Sequence, residues 1–164
     1  MNQLEFNTAT LFPPITIGES HVNVSDEWIS NVKDFCLDNG KESSHGNLIT
    51  TFGSEVQPHQ IDWIFETLGQ VAPEQAFVNS WVQVYDVAGF HPPHNHAGQV
   101  DVRISGCLFL TEGSSTYFQD PLHPDRSTSK PDVKPGDILL WDPAIYHYSP
   151  PVKEERIILA FNLR

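Results

Sequence analysis

The run Gly136-Asp137-Ile138-Leu139-Leu140-Trp141, followed by His147 and then by Glu155-Arg156-Ile157-Ile158-Leu159-Ala160-Phe161-Asn162, decides the fold. Pro135-Gly136 makes a turn into a strand over Asp137–Trp141, and Glu155–Leu163 is a second, final strand. On that last strand Arg156, Ile158, Ala160 and Asn162 share one face, because strand side chains alternate. Ile158 and Ala160 make the face apolar and inward. An arginine carried in with them needs an anionic partner, since an unpaired buried charge is costly. A bound dicarboxylate would supply one, and arginine's planar fork matches a carboxylate at two points.

Working back from this run, the period-two grammar extends to Phe77. Trp81, Gln83 and Tyr85 alternate with Val82 and Val84, Arg103–Leu110 is a further strand, and Thr116–Gln119 is a short one. Gly89–His96 reads as a Pro-rich loop and Asp120–Asp132 as a long polar loop, with 120–131 a candidate cover for a substrate. Upstream, Ser25-Asp26-Glu27 opens a helix by capping and dipole logic. Trp28, Ile29, Val32, Phe35 and Cys36 follow at helical spacing until Asn39-Gly40 stops it. Residues 41–57 are polar and Ser/Gly-rich. A second helix is expected from about Pro58, with Ile61, Ile64, Phe65, Leu68 and Val71 on one face. Residues 1–24, with Pro13-Pro14, read as irregular chain or an edge strand. Short strands after two helices, without βαβ alternation, make a mostly-β (α+β) sandwich or barrel with helices outside. The whole chain, 1–164, is expected to be one domain, with a helical support region at 1–76 and a β core at 77–164.

Composition narrows the function. The 164 residues are enough for a core without disulfide staples, and the two cysteines form no CxxC pair. Nine basic against 21 acidic residues give a net charge of −12, which repels phosphate backbones and anionic lipid. No nucleic-acid partner and no membrane association are therefore expected. No apolar stretch approaches the roughly 18 residues of a membrane span, and Met1–Glu5 does not resemble a signal peptide, so a cytoplasmic location is expected.

His94-Asn95-His96 places two imidazoles one residue apart, able to point the same way from extended chain, and His147 arrives before the final strand as a third. His91 crowds the same segment. Imidazole suits Fe, Zn, Cu and Ni alike, and three protein ligands leave positions open for chemistry. Gln83 and Tyr85 share a strand face that could line the pocket. Trp81, Trp141, Tyr146 and Tyr148 read as core and rim packing.

Over about Phe77 to Arg164 the sequence resembles the double-stranded β-helix (jelly-roll, cupin-like) core of Fe(II)/2-oxoglutarate oxygenases, in particular the prolyl-hydroxylase-like branch and small oxygenases of phages and bacteria. The matching residues are Trp81, Tyr85, His94-x-His96, Ser105-Gly106, Pro135-Gly136-Asp137, His147 with Pro150, and Glu155-Arg156 through Phe161-Asn162. The nine-residue step from His147 to Arg156 is the most specific of these.

The resemblance implies Fe(II) and 2-oxoglutarate as cofactors, O2 as co-substrate, and hydroxylation of a protein, peptide (a prolyl residue included) or small molecule. It implies His94 and His147 as metal ligands and Arg156 as partner of the distal carboxylate of 2-oxoglutarate. The wider superfamily has a carboxylate where this chain has His96. His96 is assigned as second ligand, with Asp101 as the fallback carboxylate. Phe109 stands where the prolyl-hydroxylase branch has a tyrosine, leaving Ser105 or Tyr85 to assist Arg156. Asn162 is expected at the iron-bound end of the co-substrate. A phage-encoded chain would work in the host cytoplasm.

Two other readings stay open. One is a three-histidine cupin-type oxygenase that works without 2-oxoglutarate. The other is a non-catalytic binding or virion-associated jelly-roll module. The sequence leaves the oligomeric state unread.

Overall fold

The computed structural model describes residues 17–113, 116–121, 123–129 and 132–164. Pro13-Pro14 and the N-terminal segment before Ile17 lie outside them. In chain order the elements are β1 (Gly18–His21), α1 (Asp26–Asn39), β2 (Lys41–Glu42), β3 (Leu48–Thr50), α2 (Asp62–Leu68), β4 (Phe77–Tyr85), β5 (His91–His94), β6 (Ile104–Phe109), β7 (Tyr117–Gln119), β8 (Ser127–Ser129), β9 (Asp137–Trp141), β10 (His147–Ser149) and β11 (Arg156–Leu163). One antiparallel sheet runs β1-β9-β6-β11-β4-β3-β2 and a smaller one β5-β10-β7-β8. From β4 onward the chain passes between the two sheets, with β4, β6, β9 and β11 in the larger and β5, β7, β8 and β10 in the smaller. This is a double-stranded β-helix with two helices, a mostly-β fold.

The two faces of β11 are sorted as the alternation demands. Ile157, Leu159 and Phe161 join Val82, Val84 and Leu108 on the outer face of the large sheet, where Val32 and Cys36 of α1 and Ile64 and Leu68 of α2 cover them. Ile158 joins Tyr85, Cys107, Phe109, Leu139 and Trp141 on the inner face, against Phe118 of the small sheet. Helix α1 starts where its cap predicts, the Ser25 hydroxyl accepting from the Trp28 N–H at 3.1 Å. Gly136 takes φ +94 to turn into β9, where an added Cβ would meet the Val22 carbonyl.

Four local expectations change. The second helix is a 3-10 turn at Pro58–Gln60 followed by α2, which ends at Gly69 and leaves Val71 outside. Residues 41–57 contain β2 and β3, which extend the large sheet at one edge. Gly89–His96 is not all loop, because His91–His94 forms β5. Its Pro92-Pro93 pair is tolerated because β5 is an edge strand, where a missing N–H breaks no ladder bond. Within Asp120–Asp132, Ser127–Ser129 forms the opposite edge, β8. Leu122, Lys130 and Pro131 of that stretch are not among the described residues. No described helix is long and apolar enough to cross a membrane.

Candidate metal centre and its cavity

Strands β5 and β10 pair so that His147 lies opposite His94. His96 follows two residues past the end of β5, its N–H held by the Pro143 carbonyl at 2.7 Å. One ring nitrogen from each of His94, His96 and His147 falls within 4.8 Å of the others. Local packing that sequence spacing cannot specify, an edge-strand register and a loop hydrogen bond, completes the cluster.

The Nδ1 atoms of all three are engaged. His94 Nδ1 lies 3.0 Å from the Pro92 carbonyl and His147 Nδ1 3.1 Å from the Ile145 carbonyl. His96 Nδ1 lies 2.8 Å from Asn162 Oδ1 and 2.9 Å from Ser105 Oγ. Carbonyl oxygens only accept, so each Nδ1 carries the proton and each Nε2 is left with its lone pair. The Asn162 amide is itself oriented, donating to Asn79 Oδ1 at 2.8 Å and to Gln99 Oε1 at 3.2 Å, while the Ser105 hydroxyl donates to Asn162 Oδ1 at 2.7 Å.

Burial depresses the pKa values of all three histidines, with neighbouring histidines adding to the effect on His94 and His147. His147 is pushed down to about 3, and its neighbour His91 to about 4. Neutral imidazoles with free Nε2 atoms are the form that binds a divalent metal. The donor set fits a nitrogen-preferring ion of the Fe, Ni, Cu or Zn class and leaves coordination positions open.

A stability prediction follows from the same shifts. In the unfolded chain these histidines titrate near 6.5, so below about pH 6.5 the unfolded state binds more protons than the folded one. Stability of the metal-free protein is retained above that pH. It is lost progressively as pH falls toward the folded values of about 4 for His91 and about 3 for His147. Urea midpoints measured between pH 8 and 4.5 should fall on the acid side. A flat profile would contradict neutral, buried imidazoles.

The three histidines and Arg156 line one cavity of about 420 Å³. Arg156, at the start of β11, is 2% exposed, and its Nη2 donates to Thr116 Oγ1 at 3.1 Å. Its guanidinium carbon sits 4.9 Å from the Tyr85 ring centroid and 5.7 Å from that of Phe109. The Tyr85 hydroxyl donates to Gln83 Oε1 at 3.0 Å, and burial pushes its pKa up to about 12 against the pull of Arg156. Tyr85 is therefore a neutral phenol in the cavity wall.

Gln83, Tyr85, His94, His96, His147 and Arg156 are thus brought to one cavity. Ser105 lies beside His96 rather than Arg156. Asn162 holds the rear of His96 through its side-chain oxygen. Asp101 is exposed, at φ +66, and outside the cluster. Trp81, Trp141 and Tyr148 line the cavity as well as packing, whereas Tyr146 is 49% exposed. No described residue of 120–129 lines it.

Sequence reasoning missed Thr116, which nothing in its polar neighbourhood marks out. It also missed His45, whose ring lies 5.2 Å from that of His91 and extends the row of imidazoles across the cavity.

No family profile and no curated protein sequence matches the chain. Solved structures do match in shape. A 2OG-Fe(II) oxygenase family oxidoreductase from Burkholderia pseudomallei aligns at TM-score 0.60 and 12% identity, over 89% of this chain and 82% of that one. The likeness is one of fold. A prolyl-4-hydroxylase from Pseudomonas putida aligns at TM-score 0.63 and 11% identity, over 92% of each chain. HygX from Streptomyces hygroscopicus, solved with nickel and 2-oxoglutarate bound, aligns at 0.61 and 10% identity, over 93% of this chain and 84% of that one. The chain therefore has the double-stranded β-helix of 2-oxoglutarate oxygenases, and its chemistry must be argued from its own residues.

Proposed function

We propose that this protein is an Fe(II)- and 2-oxoglutarate-dependent oxygenase that hydroxylates a peptidyl residue, such as a proline, or a small molecule. The observation that carries this reading is the joint presence, in one cavity, of three neutral imidazoles, each with one ring nitrogen within 4.8 Å of the others, and a buried arginine. The cavity volume of about 420 Å³ falls within the range of small-molecule sites. When bound, Fe(II) and 2-oxoglutarate together supply O2 activation coupled to decarboxylation of the co-substrate to succinate and CO2.

The chain's own residues supply binding and orientation. His94, His96 and His147 hold the metal, with His96 as second ligand and Asn162 and Ser105 fixing its ring. Arg156 takes the distal carboxylate in two-point geometry. Thr116 and the Tyr85–Gln83 pair fix the guanidinium and the wall beside it. Trp81 and Phe52, whose rings meet edge-on at 5.1 Å, form an aromatic side of the cavity suited to an apolar part of the substrate. The net charge of −12 favours a basic over an acidic macromolecular partner.

The test is anaerobic titration of the Fe(II)-loaded protein with 2-oxoglutarate, followed by visible absorption. A metal-to-ligand charge-transfer band that saturates is expected, since two-point chelation by the keto and carboxylate oxygens produces it. Bound iron without such a band would overturn the reading. It would favour instead a three-histidine, cupin-type oxygenase, which the absence of a carboxylate from the His94–His96–His147 cluster makes the natural second choice. If neither metal nor 2-oxoglutarate raises the melting temperature, a non-catalytic jelly-roll module is the remaining reading.

A further inference from the structure

The cavity inverts the charge of the protein around it. The chain carries 21 acidic against nine basic residues. Among the described residues, however, the cavity wall holds Lys41 and Arg156 against a single carboxylate, that of Glu42. In the reading above the co-substrate takes Arg156. Lys41, on the edge strand β2, remains, and it takes part in no ion pair among the described residues.

Register decides which of the two charges on β2 faces the cavity. Residues directly opposite one another in an antiparallel pair project to the same face. Lys41 pairs with Thr50 and Thr50 with Gln83, whereas Glu42 pairs with Ile49 and Ile49 with Val84. Thr50 and Gln83 line the cavity, while Ile49 and Val84 belong to the cluster under the helices. Lys41 is therefore on the inner face and Glu42 on the outer. The Lys41 side chain reaches the turn after β3, its Nζ lying 3.7 Å from where a Cβ on Gly53 would stand. Phe52 in the same turn is 48% exposed, lines the cavity and meets the Trp81 ring edge-on. A cation and an exposed aromatic ring thus share one rim of the cavity.

We propose that Lys41 receives the carboxylate of a small monoanionic substrate whose apolar body lies against Phe52 and Trp81. The proposal rests on the 2-oxoglutarate reading above and deepens it, because that reading commits Arg156 to the co-substrate. Strand β2 lies three strands from β11, roughly 14 Å at sheet spacing, so Lys41 and Arg156 serve separate parts of the cavity. The volume of about 420 Å³ must hold both molecules, which limits the substrate to a small one. The acidic outer surface repels polyanions. A single carboxylate that enters meets a cleft lined by positive charge, whose low-dielectric walls focus the field.

Matched pairs of probes test this: the N-acetyl derivatives of L-proline, L-leucine and L-phenylalanine, each as the free acid and as the primary amide. Each is titrated by calorimetry into the protein loaded with Zn(II) and 2-oxoglutarate. At least one acid should bind about fivefold or more tightly than its amide, the upper end for an exposed ion pair. The margin should narrow at about 1 M NaCl, where the Debye length falls to about 3 Å. Lys41→Gln should bring acid and amide to parity, and Lys41→Arg should keep the preference. Glu42→Gln, on the outer face, should leave it unchanged. Acids that bind no more tightly than their amides in every pair, or a preference that survives Lys41→Gln, would overturn the proposal.

Lys41 is exposed at a sheet edge, so Lys41→Gln should keep the wild-type melting temperature. It should also form the charge-transfer band with Fe(II) at wild-type 2-oxoglutarate concentrations. A band that needs more 2-oxoglutarate in this variant would mean that Lys41 serves the co-substrate instead, and would overturn the proposal. A wild-type protein that never forms the band would sink the functional reading and this inference together. A normal band with no preference for the acids would sink this inference alone.

Discussion

Replacing His147 with alanine should abolish the rise in melting temperature that Fe(II), Ni(II) or Co(II) gives the wild type, and weaken metal affinity by at least about a hundredfold, the upper figure for loss of an outer-sphere partner. The argument is geometric. His94 and His147 face one another across the β5–β10 pair, with ring centroids 4.3 Å apart, and His96 reaches the same point from beyond the strand end. Two imidazoles without the third leave a chelate that water can displace. The metal-free variant should lose only about 1 kcal/mol of stability, the centre of the range for single substitutions, because the missing ring borders a cavity. Since only a ligand that prefers the folded state stabilises it, the increment on adding metal separates binding from folding. An unchanged increment would exclude His147 as a ligand. His91→Ala is the informative companion: its ring lies 4.2 Å from that of His94, yet it is not one of the three clustered histidines, and the metal-induced shift should survive.

The contrast between His147 and Asn162 shows what was legible in the sequence. Strand alternation put Arg156, Ile158, Ala160 and Asn162 on one face, and that face is turned inward. The Ser25 cap and the Asn39-Gly40 stop located α1 to within a residue. Such features are local, set by backbone sterics and by burial of one face. Asn162 was legible as a member of that face, but its contact with His96 was not, because that contact spans 66 residues and depends on how β11, β6 and the loop after β5 meet. The same limit concealed Thr116, which reaches Arg156 across 40 residues. The Pro-rich stretch before His94 reads as loop because proline breaks ladders. Only the position of β5 at a sheet edge, a property of the assembled sheet, lets it be a strand. Residue identity announced the histidine cluster, and tertiary register decides what supports it.

Arg156→Ala should raise the dissociation constant for 2-oxoglutarate by roughly 30-fold or more, the equivalent of the 2–5 kcal/mol typical for truncating one member of a buried, hydrogen-bonded charge pair. Arg156 is 2% exposed, its guanidinium flanked by Tyr85 and Phe109 and tied to Thr116, so little of its charge is screened by water. Arg156→Lys should recover only part of the loss, since an ammonium at the end of a flexible stem keeps the charge but not the planar fork. Pyruvate affinity should be nearly indifferent to either substitution, because pyruvate has no second carboxylate for Arg156 to hold. The shortened side chain leaves space for a small planar cation, and added guanidinium should restore 2-oxoglutarate binding to Arg156→Ala. It should do so at concentrations well below those that unfold the protein. That rescue distinguishes lost recognition from a disturbed fold. If the alanine variant instead forms the charge-transfer band at wild-type co-substrate concentrations, Arg156 serves the wall of the cavity alone, and the anion that the centre binds must be anchored elsewhere.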